Sequence, residues 1–260
     1  MRSSWIPLFL FSVVLCATES VFIRTSADVA ASPYDNLKIG VPFFSDYVLD
    51  RESFALGFSI KHRQAVWVQY RLTKAEVITQ TAKRSNRFYK DSDLPESAIP
   101  EDYIRSGYDR GHLAPAADMS YSVKAMNDSF SMANISPQLP GFNRGVWKRL
   151  EERVRAFAIA EEEIYVVTGV IFSEKEPPKW IGKNKVSVPK GYFKVIFDAT
   201  PPCKMIAFIL LNEHCNAELQ SFVVTVDQVE EITGFDFFSA LPDEEEAKME
   251  AQISLNDWIW

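Results

Sequence analysis

Short apolar runs are the feature that most constrains what this chain can fold into. They are five to eight residues long, as β-strands typically are, and turn or polar residues bound each one. A polar turn, Lys61–Gln64, joins two of them and predicts a β-hairpin. The runs are Phe54–Ile60, Ala65–Leu72, Ile164–Val170, Tyr192–Phe197, Met205–Leu211 and Phe222–Val226.

Helical patterns are fewer. The spacing predicts a short helix over Asp227–Thr233 with a stop at Gly234, and a final helix over residues 243–256 whose following tryptophans pack back on the domain. A third, amphipathic pattern starts at Phe142. Strands therefore dominate, and the predicted class is α+β with helices packed on a sheet.

The chain divides into three parts by composition. Residues 1–20 have a basic start and a short apolar run, which is typical of a signal peptide, with a retained N-terminal anchor as the alternative. Residues 21–46 are predicted to be a linker and residues 47–260 the functional domain. The expected location is secreted or periplasmic, or else membrane-anchored or mitochondrial. Cys203 and Cys215 are expected to be free thiols, although their pairing stays open.

The charge is distributed unevenly. The net charge of −7 argues against a polyanionic partner, but residues 51–155 carry 17 Lys or Arg against 12 Asp or Glu. Residues 156–260 carry 8 against 18. A phosphate-rich partner would therefore dock on the first of these two regions.

The stretch from Tyr108 to Glu152 holds the residues best suited to chemistry. His112 can act as a general base, because an ordinary imidazole is neutral and basic near pH 7. Asp109 or Glu151 could fix its tautomer, and the alternative is a structural histidine. The other two histidines, His62 and His214, lie in polar links and are expected to be loop residues.

The amphipathic pattern from Phe142 predicts one helix that carries Asn143 and Glu151. An amide oxygen is a hard ligand suited to Mg²⁺, which keeps most of its waters, and Glu151 could hold one of those waters. The alternative for Asn143 is a helix N-cap. Asn134, which precedes Ile-Ser-Pro-Gln, could equally be a turn former.

Basic and aromatic residues alternate over residues 83–90. Arg84 and Arg87 lie close to Phe88 and Tyr89, a composition that suits a phosphate backbone with stacked bases. A solvated loop whose aromatics cover the core is the alternative.

Three segments together resemble the DNA/RNA non-specific endonuclease family, the ββα-metal (His-Me finger) group. They are Asp109-Arg-Gly-His112, Asn134-Ile-Ser-Pro-Gln138 and Asn143-Arg-Gly-Val-Trp-Lys-Arg-Leu-Glu151, within a similarity from about Tyr47 to Phe238. The resemblance implies a central antiparallel-rich sheet flanked by helices, with a ββα-metal finger that carries the site.

The resemblance also implies roles. His112 is expected to be the general base, Asn143 the one direct protein ligand of Mg²⁺ and Glu151 the residue that orients the metal's waters. Arg110 and Asn134 would stabilise the phosphate and position the base. A family arginine upstream matches Arg84 better than Arg87.

The activity implied is Mg²⁺-dependent hydrolysis of DNA and RNA phosphodiester bonds with little sequence specificity. Mn²⁺ is an alternative ion and a homodimer an open prediction, and no stable membrane partner is expected unless the leader is retained. Two other hypotheses are a nucleic-acid-binding protein without catalysis and a phosphodiesterase for small esters.

Overall fold

An eight-stranded antiparallel sheet runs through the molecule. A computed structural model describes residues 20–173, 177–253 and 255–260. In spatial order the strands are β1 Val21–Ile23, β2 Tyr47–Asp50, β3 Ala55–Ser59, β4 Gln64–Thr73, β7 Glu163–Ile171, β10 Gly191–Asp198, β11 Lys204–Leu211 and β12 Val223–Val224. Two small antiparallel pairs lie outside this sheet: β5 Asp109–His112 with β6 Ile135–Gln138, and β8 Trp180–Ile181 with β9 Val186–Ser187.

The predicted strands coincide with β3, β4, β7, β10 and β11 to within two residues. The last predicted run is wrong in extent, because only Val223 and Val224 join the sheet. Thr225 ends the strand by capping the next helix: its hydroxyl accepts the Gln228 backbone N–H at 3.1 Å. That helix ends at Gly234, as predicted, in the left-handed conformation with φ +69°.

Helices cover both faces of the sheet. They are α1 Ser26–Ala31, α2 Lys74–Ile78, α3 Val123–Ser129, α4 Lys148–Glu161, α5 Val226–Thr233 and α6 Asp243–Glu250. Because side chains of a strand alternate between faces, Tyr192 and Ile196 of β10 pack in the core that contains α4. Phe193 and Val195 pack in the other core, with residues of α5.

The predicted linker, residues 21–46, differs from what the structure has there. β1 pairs with β2 at the edge of the sheet, and Leu37 and Ile39 are buried in the core. The Trp67 indole N–H donates to the Phe43 carbonyl at 2.8 Å, which ties this segment to β4. Segments this short show no apolar period, so the composition of the region resembles that of a linker.

The final helix α6 is shorter than predicted and ends at Glu250. Trp258 nevertheless packs back as expected, with its ring 4.7 Å from that of Phe157. Both Cys203 and Cys215 are free thiols. The predicted leader lies outside the described residues except for Ser20, and no helix in the described ranges has both the length and the hydropathy to cross a membrane.

Candidate active site

The first two motifs meet as a strand pair, and the third follows directly after it. β5 and β6 pair antiparallel, so that Asp109 lies opposite Gln138 and His112 opposite Ile135. Gly111 permits this packing, since a Cβ there would lie 2.2 Å from Gln138 Cδ. The chain then passes through a wide helical turn into α4. This is the predicted ββα arrangement.

The helix predicted from Phe142 is broken in its first turns. Phe142–Trp147 forms a π-type turn, and Gly145 leaves the helical region with φ −105° and ψ −111°. Regular α-helix starts only at Lys148. Asn143 is therefore neither part of one continuous helix with Glu151 nor the N-cap of that helix.

His112 is buried, with 7 % of its surface exposed, between two aromatic rings. Its ring centroid lies 4.9 Å from that of Phe130 and 5.6 Å from that of Phe88. Burial, with the nearby Arg84 cation second, lowers its pKa to about 3. The imidazole is thus neutral at pH 7. Its Nε2 is buried and has no hydrogen-bond partner among the described residues, so its hydrogen-bonding capacity is unused.

Asp109 does not fix the tautomer of His112, because its carboxylate bonds elsewhere. Asn143 Nδ2 donates to Asp109 Oδ2 at 2.9 Å, and the Arg144 guanidinium donates to both carboxylate oxygens at 2.8 and 2.6 Å. Although burial opposes ionisation, these hydrogen bonds lower the pKa of Asp109. The hydrogen bond to Asp109 thus uses the amide nitrogen of Asn143 and not its oxygen.

Asn134 is fully buried and braces the residues that follow His112. Its Oδ1 accepts the Ala114 N–H at 2.8 Å, and its Nδ2 donates to the carbonyls of Ala114 and Ser129, both at 2.9 Å. Its backbone carbonyl accepts the Leu113 N–H at 3.0 Å. Both amide donors are used within the protein, so Asn134 holds the backbone that follows His112.

Glu151 lies half-buried on α4, next to the charged side chains of Lys194, Arg155 and Asp118. Burial raises its pKa to about 7, and Lys194 of β10 partly offsets that rise. Lys194 is itself fully buried, donates to Thr168 Oγ1 at 2.5 Å and lies 5.0 Å from the Trp147 ring centroid. Below them, Arg155 donates to Asp118 at 2.8 Å. This arrangement fixes α4 on the sheet beneath the site.

Two arginines flank His112, and both stack on aromatic rings. The Arg84 guanidinium carbon lies 5.2 Å from the Phe130 ring centroid, and that of Arg110 lies 5.0 Å from the Phe88 centroid. Arg84 is also close enough to Glu151 to influence its pKa. Both Arg84 and Arg87 are exposed, but the contact of Arg87 is a local one, from its backbone N–H to Ser85 Oγ at 3.3 Å. The structure thus brings Arg84, and not Arg87, close to His112.

The donor set suits a hydrated divalent cation. Asn143 offers an amide oxygen and Glu151 a carboxylate, the hard ligands that Mg²⁺ takes together with its waters. Buried polar atoms without a partner in the described chain also cluster in the finger, where they point to unfilled hydrogen-bonding capacity. They are Arg110 Nε, His112 Nε2, Gln138 Oε1, Gln138 Nε2 and Trp147 Nε1.

Several supporting residues escape sequence reasoning. Asp118 and Phe130 lie in segments without a motif. Two others carried a signal: Lys194 is a lysine within the apolar run Tyr192–Phe197, where a charge needs a partner, and Arg155 lies one helical turn after Glu151.

Comparison with known proteins agrees with this geometry. The chain matches the model of the DNA/RNA non-specific endonucleases over residues 32–244. It therefore belongs to that family, whose members are metal-dependent nucleases. The match begins within the segment predicted to be a linker, in agreement with the packing of that segment on the sheet.

Individual relatives are similar over most of their length. A mitochondrial nuclease of Saccharomyces cerevisiae is 32 % identical over 237 residues, which cover 81 % of this chain and 71 % of the yeast protein. Human mitochondrial endonuclease G is 31 % identical, covering 77 % and 72 % of the two chains. The solved EndoG/EndoGI complex contains a chain with a TM-score of 0.76 and 30 % identity, covering 81 % of this chain and 93 % of that one. The predicted family, α+β fold and enzyme class, a hydrolase of nucleic acids, are confirmed.

Proposed function

We propose that this chain is a Mg²⁺-dependent endonuclease that hydrolyses DNA and RNA phosphodiester bonds with little sequence specificity. The observation that carries the proposal is the neutral, buried His112, whose unpartnered Nε2 lies on a ββα finger between two arginines. Because the imidazole is neutral at pH 7, one of its ring nitrogens has a lone pair that can accept a proton from water. The arginines offer fixed positive charge for the phosphate.

Each residue of the finger then has a distinct task. His112 Nε2 accepts the proton of the attacking water, and Arg110 and Arg84 hold the phosphate oxygens. Asn134 keeps the backbone after His112 in place. Asn143 would hold the metal and Glu151 its waters.

When bound, Mg²⁺, or Mn²⁺ in its place, would supply Lewis-acid stabilisation of the charge that develops on the phosphate. The protein contacts in this scheme go to the phosphate rather than to base edges, so weak sequence preference is expected.

Plasmid nicking tests the assignment. The substitutions His112→Ala and Asn143→Ala should each remove Mg²⁺-dependent nicking, and EDTA should do the same to the unchanged protein. The matched control is His214→Ala, which removes an exposed loop imidazole. Full activity of the His112→Ala protein, with its circular dichroism unchanged, would refute the proposal.

The two rival hypotheses differ in their substrates. A binding protein without catalysis would retain plasmid without nicking it. A phosphodiesterase for small esters would turn over bis(p-nitrophenyl) phosphate far better than plasmid. Parallel assays with plasmid, RNA and the chromogenic diester separate these cases.

We also propose that the leader directs export, on the composition of residues 1–20. Relatives include mitochondrial nucleases and a nuclease of the bacterium Nostoc, so mitochondrial import is the competing destination. Mass spectrometry of the mature N-terminus tests cleavage. Sedimentation of the purified protein tests the predicted homodimer.

A further inference from the structure

A lysine-rich hairpin lies outside the finger. Residues 177–190, which contain β8 and β9, carry four lysines and no Asp or Glu, in a chain whose net charge is −7. All four lysines are exposed. Trp180, beside the first of them, has 50 % of its surface exposed. An exposed indole among cations is the composition of a nucleic-acid-binding surface.

The hairpin forms one wall of an open groove. Lys179, Trp180 and Lys185 line it from the hairpin, and Lys61 and Arg63 line it from the turn between β3 and β4. Of the described lining residues only Asp46 and Glu213 are acidic, and the Asp46 carboxylate already accepts the Ile60 N–H at 2.7 Å. Lys183 does not line the groove.

Hydrogen bonds fix the hairpin in place before any ligand binds. Asn184 Nδ2 donates to the buried Asp102 carboxylate at 2.9 Å, and Gln64 Nε2 donates to the Ser187 carbonyl at 2.6 Å. Gly182 makes the turn with φ +67°, and a Cβ there would lie 2.3 Å from Asp102 Cβ. The groove cations are therefore presented by a preorganised element, which reduces the entropy lost on binding.

The groove leads towards the finger. Tyr108 lines it, and the Lys179 ammonium lies 5.2 Å from the Tyr108 ring centroid. Tyr108 directly precedes β5, four residues before His112. Along an extended strand that separation is about 13 Å, which equals roughly four base-pair steps of duplex DNA.

We propose that this groove binds the substrate strand beyond the scissile phosphodiester. Lys179 and Lys185, with Lys61 and Arg63, contact backbone phosphates, and Trp180 stacks on an unpaired base. The inference rests on the proposed endonuclease function and extends it to the path of the polymer. A second copy of this chain could instead cover the exposed indole, and the experiments distinguish that case.

The salt dependence of binding tests the lysines. Lys179→Gln/Lys185→Gln is introduced into the His112→Ala protein, and its binding to duplex DNA is measured by anisotropy at several salt concentrations. Because each neutralised phosphate contributes about 0.9 to the slope of log K against log salt, the slope should fall by about 1.8. The matched control, Lys38→Gln/Lys183→Gln, removes the same charge from exposed positions outside the groove.

Substrate length and stacking give two further readouts. In the protein that retains His112, the effect of Lys179→Gln/Lys185→Gln on KM should vanish on duplexes that extend fewer than about four base pairs beyond the cleaved bond. Trp180→Ala should weaken binding of single-stranded DNA about fivefold or more. Sedimentation of each variant reports whether the groove instead holds a second copy.

The outcomes separate the two proposals. If Lys179→Gln/Lys185→Gln leaves the salt slope of the His112→Ala protein unchanged, while the protein with His112 intact nicks plasmid, the groove assignment is overturned and the endonuclease assignment stands. If a groove variant converts a dimer into a monomer and leaves the salt slope of DNA binding unchanged, the groove is a site of self-association and not of substrate binding. If the unchanged protein fails to cleave any nucleic acid, the proposed function itself fails, whatever the slope.

Discussion

The burial of His112 has a consequence for stability that can be measured without substrate. Its folded pKa of about 3 lies below its ordinary value of 6.5. Below pH 6.5 the unfolded chain therefore binds a proton that the folded chain does not. As the pH is lowered below 6.5, the free energy of unfolding decreases by about 1.4 kcal/mol per pH unit until the folded pKa is reached. Between pH 7.5 and 4.5 the loss due to His112 is about 3 kcal/mol.

His112→Gln removes this titration and retains a polar side chain. Urea unfolding of both proteins at half-unit steps from pH 7.5 to 4.5 gives the difference in unfolding free energy. The contributions of the other titrating groups are common to both proteins and cancel in that difference. As the pH is lowered from 7.5 to 4.5, the unfolding free energy of His112→Gln should rise by about 3 kcal/mol relative to that of the parent protein.

His214→Gln is the control, since that histidine lies exposed in a loop. A difference that stays flat with pH for His112→Gln would show that the folded protein accepts the proton near pH 6.5. The buried, neutral base on which the proposed mechanism depends would then be refuted.

Three further changes probe the frame of the site. Gly111→Ala places a Cβ 2.2 Å from Gln138 Cδ. Urea unfolding should show a loss of about 1–3 kcal/mol in the free energy of unfolding, and the rate of plasmid nicking should fall at least tenfold. Unchanged values would mean that the Gln138 side chain moves aside freely. The Arg51 guanidinium donates to both carboxylate oxygens of Asp91 at 2.8 and 2.9 Å, and Asp91 is 2 % exposed. Arg51→Met leaves that carboxylate buried without its partner and should cost about 3–5 kcal/mol in urea unfolding, while Arg51→Met/Asp91→Leu should recover at least half. Equal losses in the two variants would contradict a stabilising buried pair. In the unchanged protein, Mg²⁺ at a hundredfold excess over its Kd should stabilise the fold by about 2.7 kcal/mol, which is seen as a rise in melting temperature. Asn143→Ala should abolish this rise. If the variant still shows it, the metal binds elsewhere.

The central strands could be predicted because each is long enough to show its pattern. Tyr192–Phe197 alternates between two buried faces and reads as apolar throughout. β1 has three residues and, among the described strands, pairs with β2 alone. Its pairing depends on the edge that β2 leaves open, which is information that residues 21–46 do not contain. The N-terminal segment was therefore predicted as a linker.

The residues of the finger could be recognised from three segments, because the motifs place them in chain order. The residues that support them could not, since their partners come from distant strands. Lys194 reaches Trp147 and Thr168 only because β10 lies between β7 and β11 in the sheet. A charge inside an apolar run signals that a partner exists, but only the fold shows which residue it is.

The broken helix shows why a functional site departs from a regular pattern. The stripe from Asn143 to Val154 predicts one continuous helix, and Gly145 is the residue within it that argues against one. In the structure the wide turn brings Asn143 Nδ2 to Asp109, 34 residues earlier, while Glu151 stays on regular helix over the buried charges. The helical propensity of the stripe is overridden here by a wide turn, which places Asn143 and Glu151 independently. Wide turns within helices are often found at functional sites. The conflict between pattern and glycine therefore marks, within the sequence itself, where the metal ligand is proposed to lie.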